Sequence, residues 1–194
     1  MSDQNIVLKD ISGNYAAMKA VQVIYKEAFP RIERKPFVMI VKKQKEDQAD
    51  ILGIYDGEKL VGMVVTMRYG QLLLVDYLAI DQRWRDGGYG TVALSRLKEM
   101  FPDHRIFLEI ETVLENTPAQ KLRRSRKAFY LRNGMRETGI YADVFTSKFE
   151  VLSYDEHITY EDYIEIYRGV YGSFVKNKIR QMFETEQHTL TYRK

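Results

Sequence analysis

The chain has 194 residues, 45% hydrophobic and 29% charged, globular values that exclude wholesale disorder and suit one domain of ordinary size rather than two. Its 30 basic and 27 acidic residues leave a formal net charge of +3, which suits an anionic ligand and is too small for a dedicated nucleic-acid binder. The absence of cysteine excludes disulfides, thiolate metal sites and a cysteine nucleophile, and fits a reducing, cytoplasmic setting.

MSDQNIVLKD has no basic flank followed by an apolar run, and the longest aliphatic run, LLLV at 72–75, is too short to span a bilayer. Residues 5–11 alternate weakly and predict a short strand. NYAAMKAVQVIYKEAF then places Ala17, Val21, Ile24, Tyr25 and Ala28 on one helical face, and Pro30 ends that helix. Pro36 suits a first helical turn, where its missing N–H costs nothing, and predicts a second helix through FVMIVKKQKE. Asp56-Gly57, between ADILGIY and EKLVGMVVTM, predicts an antiparallel hairpin closed by a type I′ turn with positive φ at both central residues.

QLLLVDYLAI is nearly continuous in apolar residues, as a strand buried on both faces is. It leads through a glycine-rich stretch into the helix TVALSRLKEMF, which Pro102-Asp103 breaks before RIFLEIE returns as another buried strand. Thr117-Pro118-Ala119-Gln120 reads as a capping box with proline at the first helical position, and the helix it opens stops at Asn133-Gly134. RETGIYADV and KFEVLSY predict two more strands, and ITYEDYIEIYRGVYG a helix. Tyr160, Tyr163, Tyr167 and Tyr171 form a stripe on that helix that reads as packing surface, available to a second copy of the chain in a homodimer. The last stretch, FETEQHTLTYRK, has no period and is expected to be mobile.

The glycine-rich stretch RWRDGGYGTVAL, 83–94, admits two readings. Gly88, Gly90 and Ala93 complete G-x-G-x-x-A, the dinucleotide fingerprint, with Glu109 near the offset of a ribose-binding acid. That fold needs its first glycine at the strand end. Here DQRWRDG separates Ile80 from Gly88, and the strands before it form a hairpin with meander spacing rather than βαβ repeats. The second reading, R-x-x-G-x-G from Arg85 to Gly90, turns backbone N–H groups of residues 86–91 towards one anion at a helix start, where the dipole favours negative charge. A plain strand-to-helix turn would use the same glycines.

The strand end Leu78-Ala79-Ile80, the loop Arg85-Asp86-Gly87-Gly88-Tyr89-Gly90 and the later run Ala128 to Met135 resemble the GCN5-related N-acetyltransferase (GNAT) family. That family carries Q/R-x-x-G-x-G/A after a Leu-Ala-Val strand end and a later helix ending A-x-Y-x-x-x-G-F; Met135 replaces the usual phenylalanine. The element order resembles the family over roughly residues 5–152. The resemblance implies an α/β (α+β) fold with a mixed, largely antiparallel central sheet flanked by helices, with an acetyl-CoA-binding domain over 1–152; residues 153–194 lie outside the resemblance and read as a short C-terminal helical extension and tail. It implies acetyl-CoA as co-substrate, held by Leu78, Ala79, Ile80, Arg85, Asp86, Gly87, Gly88, Tyr89, Gly90 and Thr91, with a backbone N–H near Leu78 polarising the thioester carbonyl. Two departures stand out. Arg123 occupies the place, two turns before the helix tyrosine, where many members have an asparagine on the cofactor arm, and the loop from Glu111 to Thr117 is longer than usual.

Without cysteine or GxSxG, direct attack of a bound primary amine on the thioester in a ternary complex is the economical route. It requires a base for the ammonium proton and an acid for the leaving thiolate. Tyr130 resembles the family's general acid, protonated at neutral pH by its ordinary pKa of about 10. Leu108-Glu109-Ile110 resembles a Leu-Glu-Val whose glutamate deprotonates the amine, which makes Glu109 the first choice as base. Glu111 shares its strand face and is second, as substitute or as part of a cationic-substrate pocket; Asp76 is third. Lys121, Arg123, Arg124, Arg126 and Lys127 on one helix suit the phosphates of CoA, with Arg123 on the face of Tyr130, or form a solvated face. His104, His157 and His188 show no metal spacing, so no metal is expected. The acceptor is a small-molecule or peptide amine, with EAFPRIERKPF and SYDEHITYEDYIEIY the segments expected beside it. The rival reading is a non-catalytic module that senses acyl-CoA, or binds nucleic acid through the basic helix although it lacks an interleaved stacking platform.

Overall fold

The computed structural model describes residues 5–113, 117–144, 147–173 and 179–182. In chain order the elements are β1 (Ile6–Asp10), α1 (Tyr15–Ala28), α2 (Phe37–Lys45), β2 (Ala49–Asp56), β3 (Lys59–Tyr69), β4 (Leu72–Ile80), α3 (Tyr89–Met100), β5 (Arg105–Glu111), α4 (Gln120–Arg132), β6 (Arg136–Val144), β7 (Ser147–Ser153), α5 (Tyr160–Tyr171) and β8 (Ile179–Met182). Among the described residues this is a mixed α/β fold with mostly antiparallel strand pairing and no closed barrel. None of its helices is long and apolar enough to cross a membrane. The chain forms two compact units, Met1–Arg68 with Val75–His104, and Tyr69–Leu74 with Arg105–Lys194.

In the first unit the strands run in the order β1-β2-β3-β4. β1 pairs antiparallel with β2 from Ile6↔Asp56 to Asp10↔Leu52, and β2 with β3 from Ala49↔Met67 to Asp56↔Lys59. The hairpin between β2 and β3 differs from expectation by one position. Asp56 still pairs with Lys59, so the central residues are Gly57 and Glu58, and only Gly57 has positive φ, at 58°. Glycine at the first central position with an ordinary residue after it belongs to the type II′ pattern, not type I′. Asn14 caps α1 by accepting from the Ala17 N–H at 3.0 Å. The buried face is Ala17, Val21, Ile24 and Tyr25, with Ala28 half-buried, and the helix stops at Phe29, whose extended backbone (φ −121°, ψ 133°) is what the following proline demands. Pro36 stands one position ahead of α2, as its N-cap.

In the second unit the order is β5-β7-β6-β8. β5 pairs antiparallel with β7 from Phe107↔Ser153 to Glu111↔Phe149, and β6 with β7 around a register shift between Glu137 and Tyr141, where Gly139 takes φ 73°. β8 pairs antiparallel with β6 from Tyr141↔Met182 to Val144↔Ile179. The C-terminal extension, expected as a helix and a tail, therefore also includes a strand: IRQM is too short to carry a period and is recruited by a partner strand. FETEQHTLTYRK lies outside the described residues.

The capping box forms at a different helix from the one the sequence reading gave it to. α4 begins at Gln120 with Ala119 as N-cap in helical conformation and no side-chain cap, because residues 117–120 spend their first turn on the Gln120 N–H to Thr117 carbonyl bond of 3.0 Å. Its stop is as expected, with Asn133 as C-cap and Gly134 at φ 88°. The reciprocal box forms at α5, where Thr159 Oγ1 accepts from the Asp162 N–H at 3.1 Å and Asp162 accepts from the Thr159 N–H at 2.9 Å. Arg105, the first residue of β5, donates to both Asp162 oxygens at 3.0 Å and ties that helix start to the strand.

Candidate functional site

The segment after β4 is shaped by backbone and braced by side chains. Asp81 accepts from the Arg83 N–H at 2.9 Å and pairs with its guanidinium at 2.6 Å; that hydrogen bond holds the Asp81 carboxyl below the usual carboxylate range. Arg85 Nε donates to the Ile80 carbonyl at 3.3 Å. Asp86 and Gly88 both take left-handed backbone, φ 65° and 78°. For Asp86 this costs on the order of 1 kcal/mol, which aspartate tolerates better than most residues. Alternation between left- and right-handed backbone turns successive N–H groups to one side, the concave arrangement that binds anions.

Gly88 is the N-cap of α3, with no side-chain cap and no acidic residue in the first turn. The Thr91 and Val92 N–H groups donate to the Gly88 carbonyl at 3.1 and 3.3 Å and so are used within the first turn of the helix itself. α3 starts two residues earlier than TVALSRLKEMF suggests because a left-handed glycine accepts the capping position. Tyr89 acts as the brace. Its side chain is buried, its hydroxyl donates to Asp56 at 2.9 Å, and its ring lies edge-on to Trp84 at 6.2 Å. A Cβ on Gly87 would come within 2.7 Å of that ring. What Tyr89 offers an anion is thus its N–H, not its side chain. The donor set fits a diphosphate: backbone N–H groups, a helix dipole and no acidic residue in the first turn of α3. Ahead of the loop, Leu78 and Ile80 are half-buried and Ala79 is buried, with its carbonyl within 2.5 Å of any Cβ on Gly62.

Also in this unit, Asp76 on β4 is paired. Its side chain is 2% exposed and Lys35 Nζ lies 2.5 Å from Oδ1. Around the pair, the Tyr77 hydroxyl donates to the Glu33 carbonyl and accepts from the Lys35 N–H, both at 3.0 Å, and the Tyr25 hydroxyl donates to the Lys35 carbonyl at 3.0 Å. Burial first, then the charge of Asp76, push the Tyr77 hydroxyl far above its ordinary pKa, so it remains a donor. The link between α1 and α2, expected near the acceptor, is pinned to β4 by these bonds. No spacing rule joins Lys35 to Asp76, 41 residues apart.

In the second unit, β5 presents its carboxylates on one face. Glu109 accepts from the Tyr163 hydroxyl at 2.6 Å and from the Tyr167 hydroxyl at 2.7 Å. The stripe on α5 thus packs, as read from its spacing, and also donates, which the spacing did not reveal. Glu111 binds the Arg123 guanidinium and lies 3.9 Å from Arg126; Arg123 also donates to the Thr112 carbonyl at 3.2 Å. Lys127 reaches Glu150 at 2.7 Å and Glu137 at 3.0 Å. The basic face of α4 is therefore divided: Arg123, Arg126 and Lys127 meet carboxylates of their own unit, while Lys121 and Arg124 are exposed. Tyr130, near the end of α4, is buried, and burial pushes its hydroxyl up to about 12, with Arg126 acting in the opposite direction. Met135 fills a buried position where the resemblance places a phenylalanine.

The fold is shared with solved acetyltransferases. A protein described as an acetyltransferase from the GNAT family of Bacteroides thetaiotaomicron is similar at 20% identity, over 86% of this chain and 98% of that one, with a TM-score of 0.70. An aminoglycoside 6′-N-acetyltransferase complexed with coenzyme A is similar at 13% identity over 79% and 99%, TM-score 0.62. The ribosomal-protein-S18-alanine N-acetyltransferase of Escherichia coli is similar at 14% over 80% and 99%, TM-score 0.57. No curated protein matches the sequence. Residues 18–129 match the model of the acetyltransferase (GNAT) family. The chain belongs to that family: it is a GNAT-type N-acetyltransferase, and acetyl-CoA is its co-substrate.

Proposed function

We propose that this acetyltransferase moves the acetyl group directly to a primary amine in a ternary complex, with Tyr130 as general acid and Glu109 as general base. The observation that carries the reading is the start of α3, where left-handed Gly88 leaves the first-turn N–H groups without a side-chain cap. Loop N–H groups from Asp86 to Gly90 hold the diphosphate, aided by Thr91 and by the strand end Leu78-Ala79-Ile80. Bound acetyl-CoA supplies the acyl group already activated as a thioester.

The Leu78 N–H polarises the thioester carbonyl. Glu109 takes the ammonium proton on its carboxylate, each oxygen of which can accept more than one bond. Tyr130 Oη keeps its proton across the working pH range, because burial disfavours the phenolate, and gives it to the leaving thiolate. Glu111 holds Arg123 as a fixed positive charge, suited to the cofactor arm. The acceptor is a cationic small-molecule or peptide amine, and the lack of cysteine supports a cytoplasmic setting.

A thermal-shift titration with acetyl-CoA, CoA, NAD and NADP tests the cradle, because a ligand raises the midpoint only if the native state binds it. Stabilisation by acetyl-CoA and CoA alone is expected; stabilisation by NAD alone would return the glycines to the dinucleotide reading. Tyr130→Phe is expected to lower kcat by roughly 10² with acetyl-CoA affinity nearly unchanged, and an unaffected kcat removes it from the mechanism. Tight CoA binding with no turnover across an amine panel would replace catalysis by sensing.

A further inference from the structure

We infer that α5 belongs to the transfer machinery: Tyr163 and Tyr167 are positioning residues that orient the Glu109 carboxylate and hold it ionised. The inference rests on Glu109 as the base. Each carboxylate oxygen has its own phenol donor, Tyr163 on Oε2 at 2.6 Å and Tyr167 on Oε1 at 2.7 Å, which fixes the plane of the group as well as its charge. A spacing of four residues puts both hydroxyls on one face of α5.

The donors are themselves held. Tyr163 is fully buried, with its ring 6.5 Å from Phe107, the residue two before Glu109 on the same face of β5, and 5.3 Å from the ring of Tyr167. Four residues before Glu109, Arg105 grips Asp162 at the start of α5. Helix and strand are thus locked at two points along β5, and the carboxylate sits at the second. The surroundings include Tyr160, whose ring lies 6.3 Å from that of Tyr163. Along β5 stands Glu111 with Arg123 and Arg126 of α4, and on β7 Val151 pairs with Glu109 beside Glu150, which Lys127 holds. Burial first, then the charge of Glu109, raise the Tyr163 hydroxyl well above its ordinary pKa, so it donates at every working pH and does not compete for the acceptor proton.

Phenol donors stabilise the carboxylate against its protonated form, so losing one raises the Glu109 pKa. The test is carbon NMR of the full chain labelled at glutamate side-chain carboxyls, with the Glu109 signal assigned by its loss in Glu109→Gln. Removing one phenol donor is expected to move its titration upward by about one pH unit, in Tyr167→Phe and in Tyr163→Phe alike. If Tyr163→Phe does not fold, Tyr167→Phe carries the measurement alone. A Glu109 titration that stays in place in folded Phe variants overturns the proposal and leaves α5 as packing. With the acceptor found by the amine panel, the acid limb of kcat/KM should follow the NMR shift while acetyl-CoA affinity stays constant. If the titration moves but Glu109→Gln retains full turnover, the base assignment is what fails, and the catalytic role of α5 falls with it.

Discussion

Residues 85–91 form a candidate site out of backbone, whereas the carboxylates of β5 are met by side chains brought from α4 and α5. The loop needs only unusual dihedrals, at Asp86 and Gly88, and the absence of a capping side chain. Its chemistry is local, within a stretch of seven residues. Glu109 is solvated by phenols 54 and 58 residues away, and Glu111 by an arginine 12 residues away. The surroundings of both carboxylates are therefore a product of packing. A backbone site breaks when one dihedral is forbidden; a side-chain site shifts by degrees as donors are removed.

The sharpest break is at Gly88. A β-branched side chain at φ 78° is a steric outlier, so Gly88→Val should abolish stabilisation by acetyl-CoA in the thermal-shift titration. Because no atom would lie within 4 Å of a Cβ at that position, crowding does not explain the loss, and the backbone conformation does. Retained binding would show that the loop is not the phosphate cradle.

Next in size is the Lys35–Asp76 pair. Removing one partner of a buried pair costs roughly 3–5 kcal/mol, and because Lys35 keeps 21% exposure the expected loss for Lys35→Met is about 2–3 kcal/mol by urea unfolding. Adding Asp76→Leu to that variant should restore much of the loss, since the uncompensated charge goes with it. No recovery in the double variant would mean that Lys35 acts by packing alone.

The smallest effect is at Asp162. Losing the reciprocal cap in Asp162→Ala should cost about 1 kcal/mol near neutral pH. Burial acts to raise this carboxyl, but the bonds from Thr159 and Arg105 prevail and hold it below its ordinary value. A depressed folded-state pKa contributes stability above the unfolded value, near 4, and loses it as pH falls through the lower folded value. The difference in melting temperature between wild type and Asp162→Ala should therefore shrink in acid. A difference that is constant with pH would refute the charge contribution and leave only the loss of packing.

How far each element was legible follows from how local its cause is. RIFLEIE and RETGIYADV became β5 and β6 with the bounds the pattern implied, because apolar runs and turn residues act within the segment itself. The stop of α4 at Asn133-Gly134 was legible for the same reason. The start of α4 was not: Thr117-Pro118-Ala119-Gln120 has the composition of a cap, but a box forms only if the backbone at its first residue permits it. ITYED carried the same signal at α5 and was passed over beside the tyrosine stripe. β8 exists because β6 has an open edge, a fact about a partner that IRQM does not contain.

The family, the glycine loop and the candidate acid are written in the sequence by itself, since they depend on residue types at short spacing: glycines where positive φ is needed, a tyrosine one turn before a helix-stopping glycine. Tertiary structure alone decided which charges are spoken for. Lys35 with Asp76, Arg123 with Glu111 and two tyrosines with Glu109 are pairings across long stretches of chain. A hydrogen bond acts over about 3 Å of space, whatever the distance along the chain.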